Sequence, residues 1–323
     1  MILHERWFLD ESKFPVQFDT WNTPNGLVPV AIAVAVTAVA TIIYRTRGRH
    51  SVVPGPVQLG MPWENYVRLL TWVPLVIGVH MGVTLLVSGV SRQLFVPNLG
   101  LPVNLLGGVL GMIEIAIALS FIYGALARPA AALLGLIWLI GAILFGPLRL
   151  IEHTEIIGIA FFIFATGRGP LAFDMALDRL NKPVAQLIPY AVTVLRIALG
   201  TGLTVVAFTE KIWNVPMALA FLQEHNFNFF PYIGLTSIDN EKFVLIAGTI
   251  ELIVGLMLIA GTYVRLVILI TLIPFNLTLP FMGWRELVGH LPTYGILALL
   301  LLWGDERPGE QGALVRALLG GKA

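Results

Sequence analysis

Cysteine is absent from the 323-residue chain. That excludes disulfides, thiolate-bound zinc, iron–sulfur clusters, covalently attached c-type haem and any thiol relay within the chain. Charge is scarce too: Asp, Glu, Lys and Arg make up 12% of residues, where a soluble domain carries about a quarter. The formal net charge of +1 gives no electrostatic basis for binding nucleic acid. No basic stretch leads directly into an apolar core near Met1, which argues against a cleaved signal peptide. Apolar residues, by contrast, reach 57% and fall in runs long enough to cross a bilayer as helices. Composition alone therefore implies an all-α integral membrane protein in contact with lipid.

Taken in order, the chain reads as nine spans. Residues 1–26 are polar and aromatic, from His4 to Trp21, and suit an extracytoplasmic segment at headgroup depth or a docking surface. Residues 27–66 hold the first span and a loop bearing Arg45, Arg47 and Arg49. Residues 67–174 hold four more spans, 175–187 form a linker, 188–306 hold the last four, and 307–323 form a tail. The side carrying Arg45, Arg128, Arg168, Arg179, Arg265, Arg307, Arg316 and Lys322 is richer in positive charge than the side carrying Arg6, Arg92, Arg149, Lys211 and Arg285. The positive-inside rule then puts the N-terminus outside and the C-terminus in the cytoplasm, as expected for a multi-pass protein of the inner (cytoplasmic) membrane.

The two four-span blocks are copies. Gly111, Glu114, Gly124, Arg128, Gly146, His153, Gly158 and Gly167 recur 137 positions later as Gly248, Glu251, Gly261, Arg265, Gly283, His290, Gly295 and Gly304. Apolar matches between membrane helices arise by chance, but a shared Glu, Arg and His in one register mark a duplication. An even number of spans per copy makes the copies parallel, not inverted. For the opening helices the register is 120, with His80 opposite Gly200, Val76 opposite Arg196 and Ser91-Arg92 near Lys211. The loop Lys211–Lys242 is then 17 residues longer than its counterpart.

Leu195-Arg196…Leu199-Gly200, Lys211, the Glu251-led run E-L-I-V-G-L, Gly261…Arg265 and the first-half Gly167-Arg168-Gly169-Pro170…Asp174 resemble the DoxX-like membrane proteins over about residues 67–306. The resemblance implies four-helix bundles tied to redox systems, some similar to the membrane subunit of thiosulfate:quinone oxidoreductase. It also implies a respiratory complex subunit, quinone, and an extracytoplasmic or membrane redox partner. The tandem arrangement departs from the family's single bundle.

Candidate chemistry gathers in the second copy. Glu251 lies about 12 Å into its helix at 1.5 Å per residue, where an ionised carboxylate costs about 2.5–3.5 kcal/mol on insertion scales. It must be protonated, paired with Lys211 or Arg196, or facing water. Glu114 reads more simply as half of a buried ion pair. Pro274 and Pro280 interrupt the eighth span, and Ile137 and Ile143 stand at the matching first-copy positions, so a break is expected in the second copy alone. A quinone pocket is expected from Glu251 and His290 as proton-exchanging groups, with Lys211, Arg196, Trp213, Phe275, Trp284 and Arg285 around the ring. A b-type haem on His80, His153 or His290 lacks a spaced helical pair. His153 with Glu152 and Glu155 reads as an interfacial charge cluster, and no metal site is expected. The aromatic loop, with Phe221, Phe227, Phe229, Phe230 and Tyr232, suits a lid, a partner surface or simple insertion into the interface. Two non-quinone readings stand beside this one: a non-catalytic anchor for an extracytoplasmic oxidoreductase, and a small-solute or ion carrier coupled through Glu114 and Glu251.

Overall fold

The computed structural model describes residues 4–176 and 182–304, so the tail 307–323 and Arg179 lie outside the described residues. Among the described residues the chain is helical, with a single isolated bridge between Gln93 and Gly100. Seven helices are long and apolar enough to cross a membrane. Helix α1 covers Pro24–Thr46, α2 Trp63–Thr71, α3 Val73–Val90, α4 Leu105–Tyr123 and α5 Ala127–Phe145. A short α6, Pro147–Ile151, leads into the 13-residue α7, Thr154–Thr166. Then come α8 Ile188–Val206, α9 Val215–Glu224, α10 Asn240–Ala260 and the 40-residue α11 Val264–Trp303.

Helix ends follow local chemistry. Asn104 and Asp239 accept the backbone N–H of Gly107 and Lys242 at the starts of α4 and α10. Asp174 reaches back to take Leu126 N at 2.7 Å and Ala127 N at 2.9 Å, capping α5 from 47 residues downstream. Arg168 donates to the last carbonyls of α4, at Phe121 (2.9 Å) and Ile122. Arg265 donates to Leu301, Leu302 and Trp303 at the end of α11. These groups would otherwise be orphaned in a chain with little water nearby.

The 137-residue correspondence recurs in the backbone. Gly124 and Gly261 end their helices with nearly identical left-handed angles (φ 68, ψ 38 and φ 67, ψ 38). Leu126 and Tyr263, Gly146 and Gly283, and Gly167 and Gly304 likewise share positive φ pairwise. The interruption of α11 falls at Gly283 (φ 69, ψ −154), and the prolines stay within helix. Gly146 breaks the first copy at the same place, so the break expected only in the second copy belongs to both. Glycine, which adopts these angles without strain, was the determinant.

Packing revises one register. A methyl group on Gly111 would lie 3.2 Å from the Gly89 carbonyl, and one on Gly248 would lie 3.6 Å from that of Ala207. Gly82 approaches the Ala118 carbonyl as Gly200 approaches that of Gly255. Across the two copies, Gly158 packs on Leu195 and Ala198, and Gly295 packs on Ile77 and His80. Each relation holds with the opening helices offset by 118 positions, not 120, which sets Gly78 against Arg196, Gly82 against Gly200 and Gln93 against Lys211. The insertion after Lys211 is accordingly 19 residues. Helix α7 packs on α8, the end of α11 packs on α3, and α1 lies against α10. The small residues at these crossings let helix backbones meet where lipid supplies no hydrophobic drive.

Candidate functional site

Residues 4–14 pack against the helices. They fold into two short turns, and Glu5, Arg6 and Trp7 are buried in one end of the bundle. This strap crosses between the two copies. Arg6 pairs with Glu152 (3.0 and 3.1 Å) and donates to the Thr209 carbonyl. Trp7 lies against Gly289, where a methyl group would come within 2.3 Å of the indole ring. Glu152 and Gly289 are equivalent positions of the two copies, so neighbouring strap residues read the same place twice. Phe18 and Trp21, further along, are exposed.

Beneath the strap the end of α8 widens into a π-turn, Ala207–Ile212, a feature common at functional sites. It turns both Glu210 and Lys211 inward, each fully buried. Lys211 Nζ lies 3.0 Å from Glu251 Oε2 and 3.8 Å from Glu5 Oε1. Glu210 accepts the Glu5 backbone N–H at 2.6 Å and faces His4 Nδ1 at 3.5 Å. His4 stacks on Trp7 and has the His153 and His290 rings 5.2 and 5.6 Å away. His153 Nδ1 faces Glu155 at 3.4 Å, and His290 Nδ1 faces Glu286 at 3.2 Å. An outer pair, Arg149–Glu11 at 2.9 Å, closes the edge.

Four buried glutamates, Glu5, Glu152, Glu210 and Glu251, thus gather around two buried cations, Arg6 and Lys211. Such an excess of carboxylates forces some to keep their protons. Burial raises Glu5 to about 8 despite Lys211, and raises Glu152 to about 7 despite Arg6. Burial also holds His4 below the ordinary imidazole value, against the pull of Glu210. In His153 burial acts the same way but is outweighed by Glu155, then Glu152 and Glu210, so its value rises.

Of the residues expected around one pocket, the structure joins two groups. Glu251 and Lys211 form one, sealed with Glu5. His290 and Phe275 form the other, their rings 4.5 Å apart. Arg285 is at the rim, donating to the Trp7 carbonyl at 3.1 Å. Trp213 packs on Phe208 and Phe18, and Trp284 is exposed. Arg196 is not part of the group. It sits near the opposite end of α8 and donates to the Leu258 and Ile259 carbonyls, the latter at 3.0 Å. His80 bonds the Val76 carbonyl of its own helix at 2.7 Å. Among the described residues Glu114 has no basic partner: it is buried and accepts the Phe95 N–H at 2.8 Å, a backbone donor where an ion pair was expected.

The inserted loop contributes α9 and a cover. Phe221 and Leu222 bury against the bundle, and Phe227, Phe229 and Phe230 lean over Phe243, Ile250, Ile273 and Leu277 to enclose an apolar groove of about 270 Å³. Its polar point is Thr278, whose hydroxyl is 3.5 Å from Glu286 Oε1. His290 Nε2, buried behind it, has no hydrogen-bond partner among the described residues. His4, Glu5, Arg6, Glu210 and Glu286 were missed from the sequence as site residues. Their available signal was unmatched charge: Glu5-Arg6, Glu210-Lys211 and Arg149…Glu155 stand out in a chain with so few ions. No family model matches this chain, nor does any curated protein or solved structure.

Proposed function

We propose that this protein is a DoxX-like membrane subunit of a respiratory or redox complex, and that it takes a quinone headgroup into the groove beside Thr278. Nine passes follow if α7 counts as one and the two arms of α11, 264–282 and 284–303, count separately. Forty residues of unbroken helix would run about 60 Å, twice the hydrocarbon core. The strap end then faces outward and the arginine-rich end faces the cytoplasm. The observation that carries the reading is the line Thr278–Glu286–His290, which joins an apolar groove to a buried set of proton carriers. A quinone supplies two-electron, two-proton chemistry. Here His290 Nε2 offers an unused donor or acceptor for a ring oxygen, the Glu286 carboxyl lies 3.2 Å from Nδ1 of the same imidazole, and the phenylalanines exclude water from the ring. Glu251, clamped by Lys211, supports the site electrostatically and does not itself meet the ligand. Electrons would be exchanged with an extracytoplasmic or membrane partner.

Quinone extracted from purified protein and quantified by mass spectrometry tests this. His290→Ala and Thr278→Val proteins that insert normally should retain about a tenth or less of the wild-type quinone, given hydrogen-bonding sites' intolerance of unpaired groups. Equal retention in both variants removes the proposal. The Lys211–Glu251–Glu5 clamp favours a second reading, a non-catalytic anchor whose strap end recruits an oxidoreductase. A partner complex whose quinone-coupled activity survives both substitutions would select it.

A further inference from the structure

Three histidines meet at the strap, and each turns its Nδ1 to a different glutamate: His4 to Glu210, His153 to Glu155, His290 to Glu286. His153 and His290 are equivalent residues of the two copies, and His4 stands between them. Exposure is uneven along the row. The side chains of His290 and His153 are each 2% exposed and that of Glu286 not at all, whereas His4 reaches 14% and Glu155 13%. A proton held on His290 therefore has no direct way to water, but one imidazole away it does.

We propose that His4 relays protons between His290 and His153, so that the first copy vents a site housed in the second. In one passage a proton moves from His290 to His4, from His4 to His153, and from His153 to Glu155, which releases it to water. His4 and His153 end as they began, His290 ends one proton short until the site beside it supplies another, and no electrons move. Ring centres 5–6 Å apart, with the His4 and His290 planes 29° from parallel, assign the transfer to one bridging water between ring nitrogens. Trp7, stacked 4.4 Å from His4 and tilted 4.8 Å from His290, fixes the rings in file. The surrounding charges grade the path: Glu210, Glu5 and Lys211 around His4, Arg6–Glu152 and Glu155 around His153, and Glu286 beside His290. His4, depressed by burial, gives up a proton readily, and His153, lifted by Glu155, receives it. The ligand reading above supplies only the origin of the proton; the relay is a property of the three rings.

Solid-state NMR of the full-length, 15N-histidine-labelled protein in phosphatidylcholine nanodiscs, without ligand, measures exchange of the His290 ring proton with water. His4→Phe, which keeps the stack, and Glu155→Gln, which lies outside the strap, should each slow it by about tenfold or more. His80→Phe should leave it unchanged. Unaltered exchange in both His4→Phe and Glu155→Gln overturns the relay. Faster exchange in His4→Phe overturns it as well, since His4 would then be a cover. If His4→Phe does not fold, His4→Gln with Glu155→Gln decides the matter. Quinone content does not enter this measurement, so the relay and the ligand reading can fail independently.

Discussion

The two copies hold the same buried glutamate by different means. Glu114 rests on one backbone N–H from Phe95, in a loop of ordinary length. Glu251 rests on the Lys211 ammonium, placed by a π-turn, and that ammonium in turn holds a carboxylate from the strap. One block satisfies its acid locally; the other makes it the foundation of an assembly that includes the strap. The same contrast runs through the helix caps. The carbonyls at the end of α4 are met by Arg168, which follows the copy's last helix, whereas those at the end of α10 are met by Arg196 from within α8. Duplication preserved the places needing a donor and left the source of the donor free to change.

The comparison breaks most readily at Lys211. Lys211→Ala would strand Glu251 and Glu5 as buried acids, a loss of about 3–5 kcal/mol, seen as collapse of the monodisperse peak in detergent. Glu114→Gln keeps an acceptor for Phe95 and should alter thermal stability by no more than about 1 kcal/mol. Comparable losses at the two sites would mean that the clamp is incidental. Next in size is Gly289→Ala, which drives a methyl group into the Trp7 ring and should weaken strap docking by about 1–3 kcal/mol. Hydrogen exchange of the Glu5–Leu9 amides reads it directly, and protection equal to wild type would place Trp7 elsewhere.

Acidity sharpens the contrast further, because the fully buried strap acid, Glu5, docks on Lys211 of the second copy. Glu5 and Glu152 bind protons more tightly when docked than when free, so their contribution to docking fades as pH rises through about 7 and about 8. His153, also raised, has the same sign. His4 is depressed and acts oppositely, but only as pH falls below its ordinary value of 6.5. Between pH 6.5 and 8.5 the strap amides should therefore lose protection after correction for intrinsic exchange. A gain would reverse the assignment. The smallest effect separates the turn glycines. Gly124→Ala and Gly261→Ala each force a left-handed residue at about 1 kcal/mol, but Gly124 also meets the Ala172 backbone at 2.7 Å while Gly261 meets the movable Arg196 head. Thermal melts should rank Gly124→Ala as the more damaging.

Much of the scaffold was legible. Long apolar runs located the membrane helices, and glycines at matching places marked the turns that positive φ later required. Glu251 with Lys211 was legible too, because a lysine in such a chain needs an acid. The strap was not. His4–Trp7 alternates charge and aromatic character, as a headgroup-level segment does, and contacts 146 to more than 200 residues away make its burial favourable. The break at Gly283 was hidden by two prolines that draw attention to themselves, although the helix accommodates both. The 118 register escaped because apolar helices align almost equally well when slid by two residues; only the glycine contacts distinguish them.

The strap contact between Trp7 and Arg285 spans 278 residues. The strap is therefore translated well before its Arg285 partner and cannot dock until that partner's helix is in place. Assembly of the polar centre is in effect a late checkpoint, closed by an early segment upon a much later one. A bulky fusion ahead of His4 should spare helix insertion yet leave that closing step undone.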